Sequence, residues 1–228
     1  MKIILANGSP KVGDSASRIF LAYLKDYFTD QSRQQPEAVL RDEERKILEA
    51  EFHAAHIPEG TMEELKSADA LIFACPLYVD GLPGHLLSCL MQMESLLRNP
   101  QWQNPGLRIY GIVNCGFYEG IQAQYALELL RNWCARTGLA WCGGIGIGGG
   151  GGISMMPAVE GGHGPRAPVE KALAEMTDTV LQQKIQENKY VSVAFPRFLY
   201  KLAAQAGWRQ SIRANGGKVR DLGKRPEE

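Results

Sequence analysis

The chain has 228 residues, 45% of them apolar, and its 25 basic and 25 acidic residues give a formal net charge of zero. This size suits one globular domain with an appended segment, and the neutral balance gives no reason to expect nucleic acid or an acidic partner. No apolar run approaches the ~20 residues that span a bilayer, and the first apolar run is too short for a signal peptide. Five cysteines without a C-x-x-C pair indicate buried, reduced thiols, so we expect a cytoplasmic protein.

Strand and helix patterns alternate along the chain. Strands are predicted over residues 2–6, 48–54, 69–75, 108–114 and 140–147. The second is predicted from alternating apolar and polar residues, and the others are predicted from apolar runs. Helices are predicted from helical spacing or a capping box over residues 15–28, 61–66, 83–97, 120–137 and 169–186. The polar stretch 29–46 is expected to be a helical or irregular connection. This alternation predicts an α/β domain whose parallel sheet is covered on both faces and binds ligands at the carboxyl ends of its strands.

The loop after the first predicted strand has the composition of an anion site. Residues 7–17 read Asn-Gly-Ser-Pro-Lys-Val-Gly-Asp-Ser-Ala-Ser and lie just before a predicted helix. Hydroxyls, free backbone N–H groups and the positive end of the helix dipole would meet there. The alternative is a plain strand–turn–helix connection in which Ser15 or Asp14 only caps the helix. The loop has neither the G-x-x-x-x-G-K-[ST] order of NTPases nor G-x-G-x-x-G.

Two further strand ends carry apolar and aromatic side chains. Residues 76–83 read P-L-Y-V-D-G-L-P, which would form a flat wall for a planar ligand or an ordinary loop with a half-buried tyrosine. Residues 114–120 read N-C-G-F-Y-E-G, which is either a polar and aromatic edge or a turn with surface aromatics. Together the three loops fit a ligand with a phosphate at one end and a planar ring at the other, such as flavin mononucleotide (FMN).

These residues resemble those of the flavodoxin-like NAD(P)H-dependent FMN reductases. The resemblance rests on Gly8-Ser9-Pro10-Lys11 followed by Ser15-Ala16-Ser17, and on Pro76-Leu77-Tyr78-Val79, and it covers residues 1–147. It implies a three-layer sandwich around a five-stranded parallel sheet in the order 2-1-3-4-5. It also implies that the FMN phosphate is held by Ser9, Lys11, Ser15, Ala16 and Ser17. The ring would lie along Pro76, Leu77, Tyr78 and Val79, and its other side would be edged by Asn114, Cys115, Gly116, Phe117 and Tyr118.

The function implied by the resemblance is that of an FMN-dependent oxidoreductase. It would take hydride from NAD(P)H and pass electrons to a quinone, a nitro compound, a flavin or a similar acceptor. The cofactor carries the chemistry, so no catalytic side chain is predicted, and the four histidines lack the companions of a metal site. We expect a homodimer with no nucleic-acid partner and no integral membrane segment. Two alternatives stay open: an electron carrier reduced by a partner protein, and a cofactor-less scaffold that works through protein contacts.

The C-terminal part of the chain is expected to be an addition to this fold. Residues 1–189, with 17 basic and 22 acidic residues, are predicted to form the flavodoxin-like domain. Residues 190–228, with 8 basic and 3 acidic residues, are predicted to form a basic helical extension. Phe198, Leu199 and Leu202 recur there at helical spacing, which indicates a helix that packs on the domain or on a partner subunit. The alternative is a docking helix for another protein or an anionic membrane surface.

A glycine-rich stretch follows the last predicted strand. Residues 146–151 satisfy G-x-G-x-x-G, but in a run of glycines the match carries little information. We expect neither a helix start nor a further strand after it, so no dinucleotide-binding unit is predicted there. The stretch 148–165 is interpreted either as a mobile flap over the ring site or as a plain flexible connector.

Overall fold

A computed structural model describes residues 1–29, 45–155 and 163–223 of the protein. The strands in these ranges are Lys2–Asn7 (β1), Lys46–Glu51 (β2), Ala70–Pro76 (β3), Arg108–Asn114 (β4), Ala140–Gly148 (β5) and Lys189–Ser192 (β6). The α-helices are Ala16–Thr29 (α1), Thr61–Leu65 (α2), Gly84–Leu97 (α3), Gln124–Thr137 (α4), Ala167–Leu181 (α5) and Arg197–Ala214 (α6). Short 3-10 helices occupy Gly120–Ala123, Gly150–Met155 and Val219–Gly223. Most of the predicted connection 29–46 lies outside the described residues.

The strands form one parallel sheet in the order β2-β1-β3-β4-β5-β6. The flavodoxin-like α/β prediction and its strand order 2-1-3-4-5 are therefore confirmed. The expectation that no strand follows the glycine-rich stretch is wrong, because β6 adds a sixth strand beside β5 after α5. This strand has only four residues, Lys-Tyr-Val-Ser, and they are half-buried or exposed, so they give neither an apolar run nor a clear alternation.

The central strands are continuous apolar runs because helices cover both faces of the sheet. On one face, Phe73 of β3 packs in a single cluster with Leu86 and Leu90 of α3 and with Leu127 and Trp133 of α4. Phe73 makes edge-on ring contacts with Phe52 and Trp133 at centroid distances of 5.9 Å and 6.1 Å.

The opposite face of the sheet is covered by α1 and α5, which contact each other. α1 buries Phe20, Leu24 and Phe28, and α5 buries Leu173 and Met176. The three layers are thus α3–α4, the sheet, and α1–α5.

The carboxyl ends of β1, β3 and β4 lie side by side and bring their following loops together. Gly8, the first residue after β1, donates its N–H to the carbonyl of Ala74 at 2.8 Å. A Cβ at this position would lie 2.7 Å from Leu86 Cδ2 and 3.0 Å from Cys75 Cβ, so only glycine lets the loop turn this close to α3. The anion loop therefore begins at a fixed point on the sheet.

The chain divides into two compact units, Met1–Val193 and Ala194–Glu228. The first unit contains the sheet and α1–α5, and the second contains α6 and the 3-10 helix at Val219–Gly223. β6 thus carries the first unit past residue 189, the predicted limit of the domain. No residue of α6 is buried. None of the helices in the described ranges is both long enough and apolar enough to cross a membrane.

Candidate functional site

A cavity of about 210 Å³ opens where the three loops meet at the carboxyl edge of the sheet. It is lined by Ser9, Lys11, Asp14, Ser15, Ala16, Ser17, Ile19, Pro76, Tyr78, Asn114 and Gly150. All five residues predicted to hold a phosphate are on this list, together with Pro76, Tyr78 and Asn114 from the two other loops. The structure therefore brings together the polar loop and the apolar wall, which are 59 or more residues apart in the sequence.

The polar side of the cavity is the loop of residues 8–17, here called the anion loop. Ser15 caps α1, since its Oγ accepts the N–H of Arg18 at 3.2 Å and its carbonyl accepts the N–H of Ile19 at 3.1 Å. The N–H groups of Ala16 and Ser17 belong to the first turn of α1, where the helix offers them no carbonyl partner. Together with Lys11, which also lines the cavity, these donors suit a phosphate.

Side-chain hydrogen bonds fix the start of the anion loop and join it to β4. Asn7 Oδ1 accepts the N–H of Ser9 at 3.1 Å, and Ser9 Oγ accepts the N–H of Lys11 at 3.3 Å. Ser17 Oγ donates to Asn114 Oδ1 at 3.1 Å. Asn7, Ser9, Ser17 and Asn114 are all buried, so these bonds are shielded from water and hold the loop in one arrangement.

The apolar side of the cavity is Pro76 and Tyr78, at the start of a tight turn. Tyr78 and Gly81 exchange both backbone hydrogen bonds at 3.0 Å, which closes a two-residue hairpin. The hairpin's central residues, Val79 and Asp80, have φ values of 49° and 58°. Val79 is fully exposed at the tip and lies outside the cavity, and Leu77 packs against the core instead.

Val79 holds an unfavourable backbone conformation for a β-branched residue, because positive φ brings its Cβ close to the following carbonyl. We expect Val79→Asn to raise the free energy of unfolding by about 1 kcal/mol, since asparagine suits the first position of a type I′ turn. Thermal unfolding of the protein measures this gain. Val79→Ala is the control, and its gain should be smaller because alanine also disfavours positive φ. Equal or lower stability of the asparagine variant would contradict the strained turn.

The third loop contributes only Asn114 to the cavity. Gly116 and Phe117 are exposed, Tyr118 is half-buried, and Cys115 is buried beneath the loop. Burial raises the pKa of the Cys115 thiol, which favours the protonated form and reduces its nucleophilicity. Burial likewise raises the pKa of Cys75 to about 12. Like Leu77 and Val79, residues 115–118 therefore remain predicted ring contacts that do not line this cavity.

Among the described residues that line the cavity, Asp14 and Ile19 were not predicted from the sequence, and Gly150 belongs to the stretch 148–165, for which a flap over the ring site was one of two interpretations. Asp14 lies within the anion loop, and Ile19 could have been inferred because it stands one helical turn after Ser15. Gly150 begins the 3-10 helix that follows β5, and it reaches the cavity because β5 pairs with β4. Its N–H donates to the carbonyl of Cys115 at 2.9 Å, and a Cβ there would lie 2.8 Å from Asn114 Cβ.

Comparison with known proteins gives one family and a set of similar folds. The family described as NADPH-dependent FMN reductase matches residues 1–135. An NADH:FMN oxidoreductase (EMOB), solved in its apo form, superposes with a TM-score of 0.55 at 17% identity, over 82% of this chain and 91% of that one.

A second solved structure is an FMN-dependent NADH-azoreductase from Bacillus anthracis str. Ames Ancestor in complex with FMN. It superposes with a TM-score of 0.51 at 13% identity, over 80% of this chain and 99% of that one. No curated protein sequence gives a significant match. At these identities the structural likenesses support the fold, and the family match supports the assignment of the first 135 residues.

Proposed function

Because the chain belongs to the NADPH-dependent FMN reductase family, we propose that it is an oxidoreductase that binds FMN in the cavity at the sheet edge. Its reductant would be NAD(P)H, and its electron acceptor a small molecule such as a quinone, a nitro compound or a flavin. The observation that carries the proposal is the meeting of the anion loop with Pro76, Tyr78 and Asn114 around one cavity.

The residues present fit FMN in their chemistry. Lys11, the hydroxyl of Ser15 and the N–H groups of Ala16 and Ser17 in the first turn of α1 would hold the phosphate. Pro76 and Tyr78 offer an apolar surface for the ring, and Tyr78 is half exposed, so the ring would keep one face open to a second substrate. When bound, FMN supplies the hydride-accepting and electron-donating chemistry, while the chain supplies position and electrostatics.

Titration of the apo protein with FMN tests this proposal. We expect saturable binding with one FMN per chain, seen as quenching of flavin fluorescence. Binding of riboflavin, which lacks the phosphate, should be at least about tenfold weaker, because charge-assisted hydrogen bonds contribute more than neutral ones. A protein that takes up neither flavin would support the cofactor-less scaffold instead.

We further propose that the chain forms a homodimer through the exposed faces of α3 and α4. A groove of about 220 Å³ runs between them, and Leu87, Met91 and Leu129 on its sides are 41%, 63% and 42% exposed. Its rim carries both signs of charge. Glu94 of α3 forms ion pairs with Arg136 of α4 and with Arg98 at the end of α3. Two copies of an apolar stripe bordered by both signs of charge can pack against each other about a two-fold axis.

Light scattering of Met91→Lys tests the dimer. The variant should be a monomer, because the lysine would place a charge in an apolar interface. Leu96→Lys is the control, since Leu96 is also exposed on α3 but does not line the groove. A dimeric Met91→Lys protein would contradict the choice of this face.

For the second unit, we propose that α6 serves as a docking element on the domain or on the partner subunit. Most of the stability of a helix in a protein comes from packing, and Gly207 weakens this helix further, so it needs a surface to pack on. Its four basic residues are accompanied by no acidic residue, which suits an acidic surface such as the first unit. Deleting residues 194–228 should lower the melting temperature of the remaining protein. An unchanged melting temperature would favour docking on an external partner.

A further inference from the structure

A closed ring of hydrogen bonds joins the end of β2 to the anion loop. Glu51 Oε2 accepts from Asn7 Nδ2 at 2.8 Å and lies 2.9 Å from His53 Nε2. The other ring nitrogen, His53 Nδ1, lies 2.7 Å from the carbonyl oxygen of Ser9. Ser9 in turn donates its N–H to Asn7 Oδ1 at 3.1 Å, which completes the ring. Four residues from two segments therefore constrain one another.

The backbone of β2 delivers these side chains to the loop. The N–H of Phe52 donates to the carbonyl of Asn7 at 2.8 Å and extends the pairing of β2 with β1 by one step. Arg18 of α1 adds a third donor to the same carboxylate, at 2.8 Å from Glu51 Oε1. Neither Glu51 nor His53 lines the cavity, so they can act on a ligand there only through Asn7 and Ser9.

The orientation of the Ser9 carbonyl decides whether its dipole would face a phosphate in the cavity. The peptide bond between Ser9 and Pro10 has no N–H, so its carbonyl oxygen is its only polar atom. Turned toward the cavity, this oxygen would present the negative end of a dipole to a phosphate. The bond from His53 Nδ1 holds the oxygen on a partner outside the cavity. Ser9 Oγ, which does line the cavity, stays in place because it also accepts from Lys11 N.

We propose that His53 and Glu51 are positioning residues for phosphate recognition, with His53 holding the Ser9 carbonyl away from the ligand and Glu51 holding His53. This inference rests on the proposed FMN function. The Nδ1 contact of the His53 ring faces a carbonyl oxygen, which can only accept, so Nδ1 is the donor in that bond. The two contacts can be separated by substitution, because an asparagine amide imitates Nδ1 and a glutamine amide imitates Nε2.

The test compares the ratio of FMN to riboflavin affinity in wild type, His53→Asn and His53→Gln, using fluorescence quenching. His53→Asn keeps the donor to Ser9 and should retain the wild-type ratio within about threefold. His53→Gln loses that donor, and the ratio should fall about tenfold, the equivalent of one lost hydrogen bond. A role in stability alone would lower both affinities together and leave the ratio unchanged.

The outcomes separate this inference from the proposed function. A wild-type protein that binds no FMN would contradict the function itself. A wild-type protein that binds FMN, with an unchanged ratio in His53→Gln or an equal fall in both variants, would overturn the positioning role. If His53→Gln does not fold, Glu51→Gln tests the same ring of hydrogen bonds. This substitution replaces the carboxylate that contacts His53 and Arg18 with an uncharged amide. The inference then predicts a lower ratio in Glu51→Gln, and a wild-type ratio would overturn it.

Discussion

Ala16→Asp is expected to weaken FMN binding at least about 100-fold. Ala16 lines the cavity in the first turn of α1, where the proposed phosphate would lie. Two unit charges about 4 Å apart repel by ~4 kcal/mol at an effective dielectric constant of about 20. The apo protein should lose no stability, because a carboxylate at a helix N-terminus interacts favourably with the helix dipole. Fluorescence quenching gives the affinity, and thermal unfolding of the apo protein gives the stability.

Ala16→Asn is the matched control because it adds nearly the same volume without the charge. Its loss of FMN affinity should be at least about tenfold smaller than that of the aspartate variant. Riboflavin affinity should respond to both substitutions alike. If aspartate and asparagine weakened FMN binding equally, crowding would explain the effect and the phosphate would have to lie elsewhere.

Gly120→Ala is expected to lower the free energy of unfolding by about 3 kcal/mol or more. Gly120 is buried at the end of the third loop, where its backbone packs against β5 and β6. A Cβ built on it would overlap the carbonyl oxygens of Val191 and Gly146. Both obstacles are backbone atoms of the sheet, which cannot move aside as a side chain can. The N–H of Gly120 also donates to Ser192 Oγ at 3.3 Å, so displacement would cost this bond as well.

Gly116→Ala is the control for this substitution. Gly116 belongs to the same loop, but nothing lies within 4 Å of a Cβ built on it. Its replacement should change the free energy of unfolding by less than about 1 kcal/mol. Denaturant unfolding of the two variants measures the difference. Equal stability of the two variants would show that the third loop can shift away from β6.

The strands could be predicted where both faces are buried, because such strands are continuous apolar runs in the sequence. β3 reads Ala-Leu-Ile-Phe-Ala-Cys-Pro and is buried along nearly its whole length, so an apolar run identifies it. β6 was not predictable on the same grounds, because it is a short strand at the edge of the sheet with Lys189 at its start. Its place depends on its pairing with β5, which local sequence does not encode.

The candidate site likewise has parts that local sequence predicts and parts that depend on strand pairing. The anion loop is contiguous in sequence and ends in a helix, so composition and capping rules suffice to identify it. Gly150 reaches the cavity because β5 lies beside β4, and His53 reaches the anion loop, outside the cavity, because β2 lies beside β1. The turn at Val79 was missed for another reason: valine is rare at positive φ, so the sequence gives no signal for a type I′ turn.

Anaerobic mixing of the FMN-loaded protein with NADPH tests the central claim most directly. The proposed function requires that the protein hold FMN in the cavity with the ring open to a nicotinamide. We therefore expect a yellow protein whose visible absorbance band of oxidised flavin disappears on mixing with NADPH or NADH. The Ala16→Asp variant under the same conditions should show no protein-bound flavin. A band that stays unchanged with either nucleotide, while a reductase protein bleaches it rapidly, would contradict the enzyme and identify an electron carrier.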